Sequence, residues 1–267
     1  QDIQSFACDN QRKLPNFQFC QMQPNLPTII VPARLASTRF PNKLLSELEG
    51  LPLVLHTAKR LAEVAGEFEI IFAVDGVKLE EILSKEGFEC IRTDPDLPSG
   101  TDRIAQANLK LGRDKVINVQ ADEPMVRKEH IMSLVSGLEK PDAEISTLAT
   151  HFRKSHDFHD PNQVKVVLDN EGFAMYFSRS SIPYHRDSER FEDFSHKNSL
   201  PLKHLGLYAY QKNFLLEFSK LKQGKMEKLE KLEQLRALEF GYKIAVTIVE
   251  HGTVGVDVPS DLVKIRL

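Results

Sequence analysis

At 267 residues, 41% of them hydrophobic, the chain is long enough to bury one sizeable core. Its formal net charge of −3 and pI near 6.3 lack the basic excess of a nucleic-acid binder. No apolar run approaches the ~18 residues of a membrane span. Cys8, Cys20 and Cys90 make neither a disulfide framework nor, without a CxxC or HxxxH pair, a structural zinc site. A soluble protein of a reducing cytoplasm is expected, with no nucleic-acid or membrane partner, and any polyanion site must be local.

Residues 1–26 are rich in Gln and Asn, follow neither the helical nor the strand period, and contain no uninterrupted apolar stretch of ~7–15 residues. They read as a poorly ordered leader, with a partner-binding arm as the alternative, ahead of a single domain over 27–267. That domain opens on Thr28-Ile29-Ile30-Val31, a short β-branched run without alternation, as in a parallel strand buried on both faces. The loop after it carries Arg34, Arg39 and Lys43, three cations at the carboxyl end of a strand, where open α/β sheets bind ligands. Such a loop suits a triphosphate, although it has no GxxxxGK[ST] or GxGxxG pattern. The plain alternative is a solvated basic loop, with Arg39 in a local salt bridge.

Helical periodicity follows over Pro52–Val64, then a buried strand at Glu69–Val74, a short helix at Lys78–Lys85 stopped by Gly87, and a strand at Glu89–Thr93 in which Cys90 is a small core hydrophobe. Thr101 is expected to cap a helix running to Leu111, and Lys115–Val119 is a strand that delivers Gln120 and Asp122 to the edge that holds the basic loop. This alternation predicts an α/β fold with a doubly wound, mostly parallel, Rossmann-like sheet. Beyond residue 160 the style changes. Gln163–Leu168 and Phe173–Ser178 flank a DNEG turn as a β-hairpin, Asp187–Pro201 is a polar loop expected to be mobile, and Leu202–Tyr210 is a strand. Met226–Glu239 is an amphipathic helix with Leu229, Leu232, Leu235, Ala237 and Leu238 apolar; a last strand at Ile244–Val249 and a short helix opened by Pro259 complete the chain.

Asp122 and Asp257 each follow an apolar strand-like segment, the position from which a carboxylate could hold Mg²⁺ beside a triphosphate. A helix N-cap for Asp122 and a turn aspartate before Pro259 for Asp257 remain open.

In order along the chain stand PARxxSTRxPxK (Pro32–Lys43), SGTDR (Ser99–Arg103), QADEP (Gln120–Pro124), NQVKVVLD (Asn162–Asp169), AMYFSR (Ala174–Arg179), KHLGLYAY (Lys203–Tyr210), EKLEQLRAL (Glu230–Leu238) and VGVDVPSDL (Val254–Leu262). Together these blocks resemble the cytidylyltransferases that activate acidic sugars, and among them those acting on 3-deoxy-D-manno-octulosonate (Kdo). The resemblance covers Pro27 to the end. It implies a nucleotidyltransferase fold using CTP, Kdo and Mg²⁺ to make CMP-Kdo for lipopolysaccharide assembly, with residues 160–210 serving the sugar site and a homodimer contact.

The resemblance also implies the roles of individual residues. Arg34 and Lys43, with Arg39, would contact the triphosphate, and Ser99, Gly100, Thr101 and Gln120 the nucleotide. Asp122 and Asp257 would hold magnesium, with Glu123 a neighbour that acts at most through water. Arg179, Arg186, His204, Tyr208, Glu233 and Gln234 would bind the sugar acid, Arg being the side chain that grips a carboxylate bidentately. Without the resemblance, His204 and Tyr208 read as core residues and Glu233 and Gln234 as a solvated helix face. Three positions depart from the family pattern: Ala121 and Asn42 stand where Gly is frequent, and Leu97 where a polar residue is common. Asn tolerates a left-handed backbone. The rivals are a sialate-type cytidylyltransferase, whose loop reads differently from Thr38-Arg39, and a catalytically dead nucleotide-binding module, which would have lost Lys43, Asp122 or Asp257.

Overall fold

The computed structural model describes residues 26–36, 40–187, 191, 201–253, 255–256 and 259–265. The leader through residue 25, Arg39, most of the 188–200 segment and Asp257 lie outside the described residues.

The first strand, β1 (Thr28–Ala33), is buried at every position. Ile29, Val31 and Ala33 face one core and Ile30 the other, and this two-sided burial is why the run does not alternate. A two-residue hairpin, β2 (Glu47–Leu48) and β3 (Leu51–Pro52), precedes helix α1 (Leu53–Val64), which buries Val54, Leu55, Ala58 and Leu61. Then come β4 (Ile70–Val74), α2 (Val77–Lys85), β5 (Glu89–Arg92), α3 (Gly100–Leu111) and β6 (Lys115–Asn118). Strands β4 and β6 flank β1 in parallel, and β5 lies parallel outside β4. The chain therefore runs outward from β1 on one side and restarts on the other, which makes the carboxyl end of β1 the topological switch point.

The second half comprises α4 (Lys128–Leu138), β7 (Ile145–His151), α5 (Ser155–His159), β8 (Lys165–Leu168), β9 (Ala174–Ser178), β10 (Leu202–Gln211), α6 (Lys212–Phe218), α7 (Lys225–Glu230), α8 (Gln234–Glu239), β11 (Ile244–Ile248) and a 3-10 turn at Pro259–Lys264. Among the described residues one sheet runs β5-β4-β1-β6-β10-β7-β11, with β8 against β10 and β9 against β8. Strand β10 is antiparallel to both of its long neighbours, β6 and β7. Helices α1, α2 and α4 cover one face; α3, α6 and α8 cover the other. The mostly parallel, doubly wound expectation therefore holds, as does the hairpin. No helix among the described residues is long and apolar enough to cross a membrane.

Several elements differ from the sequence expectation. Ser99, not Thr101, caps α3: its Oγ accepts the Asp102 N–H at 3.1 Å, and Thr101 is a buried residue of the first turn. The stretch expected as one helix over Met226–Glu239 is two, α7 and α8, broken at Lys231 with φ 55°; Leu229 is 77% exposed rather than packed. Helix α4 and strand β7 are not announced by sequence pattern. Helix α4 contains Gly137, where a Cβ would meet Ser146 Cβ at 3.0 Å and Thr247 Oγ1 at 3.1 Å, so the helix needs glycine to lie this close to β7 and β11. In β7, Ser146, Thr147 and Thr150 are buried polar residues that mask a strand buried on both faces.

Candidate active site

The carboxyl ends of β1 and β6 and the N-terminus of α3 meet at the switch point. Arg34 is exposed just past β1, and the Leu35 N–H donates to Asp75 Oδ2 at 2.7 Å, anchoring the start of the basic loop to the end of β4. The loop turns at Asn42, whose φ of 54° and ψ of 27° are left-handed, a conformation Asn adopts more readily than most side chains. This is how Asn replaces glycine there. Lys43 then opens a short 3-10 turn and directs its ammonium onto Asp122 Oδ2. Their side chains are 13% and 21% exposed, so both partners are largely removed from water yet still reachable.

Asp122 is half-buried in the turn after β6. Its carbonyl accepts the Val256 N–H at 3.1 Å, and Glu123 Oε1 lies 2.9 Å from where a Cβ on Gly255 would stand. The segment leading to Asp257 is thus seated against Asp122, although Asp257 itself is outside the described residues. Among those residues no group of three or more acidic, His or Cys side chains could cage a metal. A carboxylate of this kind fits Mg²⁺, which takes one or two carboxylates and completes its shell with phosphate oxygens and water. Ala121 is buried, and it is not among the residues with positive φ, so alanine does not strain this turn.

At the start of α3, Ser99 Oγ lies 2.7 Å from Asp102 Oδ2 and 3.1 Å from Glu233 Oε1, and Thr101 Oγ1 donates to Glu233 Oε2 at 2.9 Å. Gly100 passes close to β1: a Cβ there would touch Pro32 at 3.4 Å and Gln120 Oε1 at 3.7 Å. Gln120, half-buried, donates its Nε2 to Asn118 Oδ1 at 3.0 Å. Leu97 is half-buried in the loop before α3. Sequence reasoning assigned no role to Arg103, which is 1% exposed and donates to Thr93 Oγ1, to Asp94 O at 3.1 Å and to Pro95 O at 3.4 Å, holding that loop in place. Burial pulls its guanidinium below the ordinary value; the Asp75 charge opposes this and the Arg34 charge adds to it. Its spacing of four residues from Ala107, which puts the two on one face of the helix, is the signal the sequence offers.

The acid-sugar candidates lie on β10, on α7–α8 and in the segment after β9. His204 is buried, with Nε2 3.0 Å from Thr147 Oγ1; burial drives its pKa from 6.5 down to about 3, so the ring is neutral. Its ring lies 5.0 Å from Phe177 and 5.5 Å from Tyr208, and Tyr208 stacks on Tyr210 at 5.9 Å. Burial also raises the Tyr208 hydroxyl well above its usual value. Gln234 is 6% exposed, not solvated, and among the described residues its Nε2 has no hydrogen-bond partner.

Glu233 is 34% exposed and touches the nucleotide-side residues Ser99 and Thr101, so the structure puts it between the two halves of the site. Burial raises its pKa, while the Thr101 hydrogen bond and the Arg236 charge lower it. Arg179 is engaged with protein: Nε donates to Glu230 O at 2.6 Å, Nη1 to Pro161 O at 3.0 Å and Nη2 to Lys231 O at 3.4 Å. Arg186 is exposed, in the turn that ends the described stretch at residue 187. Lys165, a lysine inside an apolar strand that the sequence reading passed over, is fully buried, and its Nζ donates to Asp160 O and Arg179 O, both at 2.8 Å.

Known proteins share this sequence pattern and this fold. Residues 28–244 match the cytidylyltransferase family. A 3-deoxy-manno-octulosonate cytidylyltransferase from Geobacter sulfurreducens is 42% identical over 242 residues, covering 89% of this chain and 97% of its own. One of the same name from Pelobacter propionicus is 42% identical over 243 residues, covering 90% and 95%. A solved structure of CMP:2-keto-3-deoxy-manno-octonic acid synthetase complexed with CTP superposes with a TM-score of 0.80 at 37% identity, covering 89% of this chain and 95% of that one. The chain belongs to the cytidylyltransferase family and, within it, to the 3-deoxy-manno-octulosonate cytidylyltransferases.

Proposed function

We propose that this enzyme transfers CMP from CTP to Kdo, giving CMP-Kdo and pyrophosphate, with Mg²⁺ as its metal. The observation that carries the reading is the Lys43–Asp122 ion pair at the sheet's switch point. One of its members can answer phosphate charge and the other a metal; the start of α3 passes against Pro32 and Gln120, and the strand of His204 and Tyr208 pairs with β6 at Asn118.

In this reading Arg34, Arg39 and Lys43 offset the charge that builds on the α-phosphate and on the departing pyrophosphate. Ser99, Gly100, Thr101 and Gln120 receive the nucleoside part, Gly100 because nothing larger than hydrogen intrudes where the backbone passes Pro32. His204, Tyr208, Glu233 and Gln234 orient Kdo so that its anomeric hydroxyl meets the α-phosphorus in line, and the unmatched Gln234 Nε2 is the kind of buried donor a sugar oxygen satisfies. Arg179 and Arg186 answer the substrate carboxylate, Arg179 while also tying α7 to the loop at Pro161. Asp122 and Asp257 would hold Mg²⁺, which would supply Lewis-acid neutralisation of phosphate charge. The protein acts as a homodimer in the cytoplasm, and CMP-Kdo serves lipopolysaccharide assembly.

Pyrophosphate release tests the reading. With CTP and Mg²⁺, Kdo should support rapid release, sialic acid slow release, and hexose phosphates, which lack a carboxylate, none. A preference for sialic acid would defeat the substrate assignment.

A further inference from the structure

Outside the contacts assigned to substrates, α7 and α8 share a buried ion pair that needs an explanation. Arg236 and Glu227 are 6% and 5% exposed. The pair is bidentate, with Arg236 Nε 2.8 Å from Glu227 Oε2 and Nη2 2.6 Å from Glu227 Oε1. The guanidinium also lies over the Phe218 ring, 4.7 Å from its centroid, and Nη1 reaches Phe218 O at 3.5 Å. Taking two charges out of water is costly and is offset only by excellent geometry, so a buried pair is weak evidence for stability as such. A simple staple between two short helices could be apolar.

The same guanidinium faces a second carboxylate. Arg236 Nη2 lies 3.7 Å from Glu233 Oε1, one helical turn back. Glu227 grips one edge of the fork, so the Nη2 side is fixed in direction and cannot swing away from Glu233. Glu233 in turn accepts from Thr101 and shares the Ser99 proton, and Ser99 is the residue whose Oγ caps α3. A continuous path therefore runs Glu227–Arg236–Glu233–Ser99/Thr101, joining the helix pair of the acid-sugar side to the nucleotide-side loop.

We infer that Arg236, held by Glu227, is a positioning residue that fixes the Glu233 carboxylate against Ser99 and Thr101 and so presets the junction at which Kdo and CTP meet. The inference rests on the reading that Glu233 belongs to the acid-sugar site. Without Arg236, two hydroxyls would hold a half-desolvated carboxylate on a short helix, and its rotamers would spread. With it, Glu233 is pre-organised before Kdo arrives, which is where binding geometry gains most. Arg236 touches no substrate in this scheme, and all of its effect on the reaction passes through Glu233.

That restriction makes the inference testable by a double-mutant cycle. Arg236→Lys keeps the charge but loses the bidentate fork; Glu233→Gln keeps the shape but loses the charge. In the wild-type background Arg236→Lys should raise the KM for Kdo about tenfold with little change in kcat. In the Glu233→Gln background the same substitution should cost less than about twofold. A loss of equal size in both backgrounds, or no loss in the wild type, overturns the inference and leaves Arg236 a staple. If Arg236→Lys does not yield folded protein, judged by its thermal melt, Glu227→Gln carries the same cycle, with a smaller loss that must likewise vanish beside Glu233→Gln. A Glu233→Gln enzyme with wild-type use of Kdo would remove Glu233 from the sugar site and take the inference with it. A clear penalty for Glu233→Gln beside equal Arg236→Lys losses would remove the inference alone.

Discussion

The two halves of the site are built by opposite means. On the nucleotide side, short loops at the ends of parallel strands present Arg34 exposed and Lys43 on Asp122, with the supporting bonds made by backbone and by Asp75 and Arg103 behind them. On the acid-sugar side the polar groups are woven into one another: Arg179 onto three carbonyls, Lys165 onto two, and Glu227, Arg236 and Glu233 in a row. Residues that answer highly charged phosphates can stand at a loop edge, because the ligand supplies much of the attraction. A pocket that must read hydroxyls and one carboxylate needs side chains fixed in advance, and fixing them means burying and pairing them. Function and stability should therefore separate on the first side and travel together on the second.

The largest effect should come from the carboxylate at the switch point. Asp122→Asn should abolish turnover while lowering the melting temperature only modestly, since the amide oxygen still accepts from the Lys43 ammonium but no longer balances its charge, and EDTA should silence the wild type until Mg²⁺ is restored. Activity that survived chelation would take magnesium and this aspartate out of the site. Lys43→Ala should lose on the order of 10²-fold in kcat, the scale of removing one preorganised charge stabiliser, again without unfolding the protein. A Lys43→Ala enzyme that melted early but turned over normally would erase the contrast from the nucleotide side.

Arg179→Ala tests the other half. Three carbonyls lose their donor, so it should destabilise by about 2 kcal/mol and also raise the KM for Kdo well above any change for CTP. Equal effects on both substrates would place Arg179 outside the sugar pocket.

Acid should find the same half first. His204 stays neutral because burial drives its pKa from 6.5 to about 3, so below pH 6.5 the unfolded chain binds a proton that the native one does not. Stability should fall as pH drops from about 6.5 toward about 3, and His130, fully buried and lowered in the same direction by desolvation, adds the same sign. His204→Gln should flatten part of the fall in urea midpoint with pH; an unchanged slope would show that the ring is not buried neutral. The smallest effect is expected at Ser99→Ala, where loss of the α3 cap should cost about 1 kcal/mol.

The nucleotide half was the more legible in sequence, for a physical reason. A strand buried on both faces writes an unbroken β-branched run, and the cations after Val31 stand next to it in the chain, so position alone singles out Arg34 and Lys43 as candidates and brings Asp122 to the same edge, with a helix N-cap as its alternative. On the sugar side the partners are remote: Ser99 meets Glu233 across 134 positions and Arg179 meets Glu230 across 51. No local pattern encodes such pairs, and only resemblance drew attention to Glu233, Gln234, His204 and Tyr208. Even then Glu233 came out nearer the nucleotide loop than its assignment implied. Asn42 was read correctly because backbone chirality is a local property, whereas Thr101 was misread as the cap because Ser, two residues earlier, is an equally good one.

The antiparallel strand β10 has a consequence for the order in which the molecule can be made. It fills the slot between β6, which ends at Asn118, and β7, which begins at Ile145, yet it is not synthesised until Leu202–Gln211. Until then the nascent chain carries two apolar strand edges that are next-but-one neighbours in the finished sheet and have nothing between them. If they paired with each other directly, the sheet would close one strand short and shut out the strand that carries His204 and Tyr208. Contacts this far apart in sequence slow folding and leave unpaired edges open to other chains. Productive folding therefore depends on a gap that stays open through the synthesis of more than fifty further residues, counting from the end of β7 at His151 to Leu202.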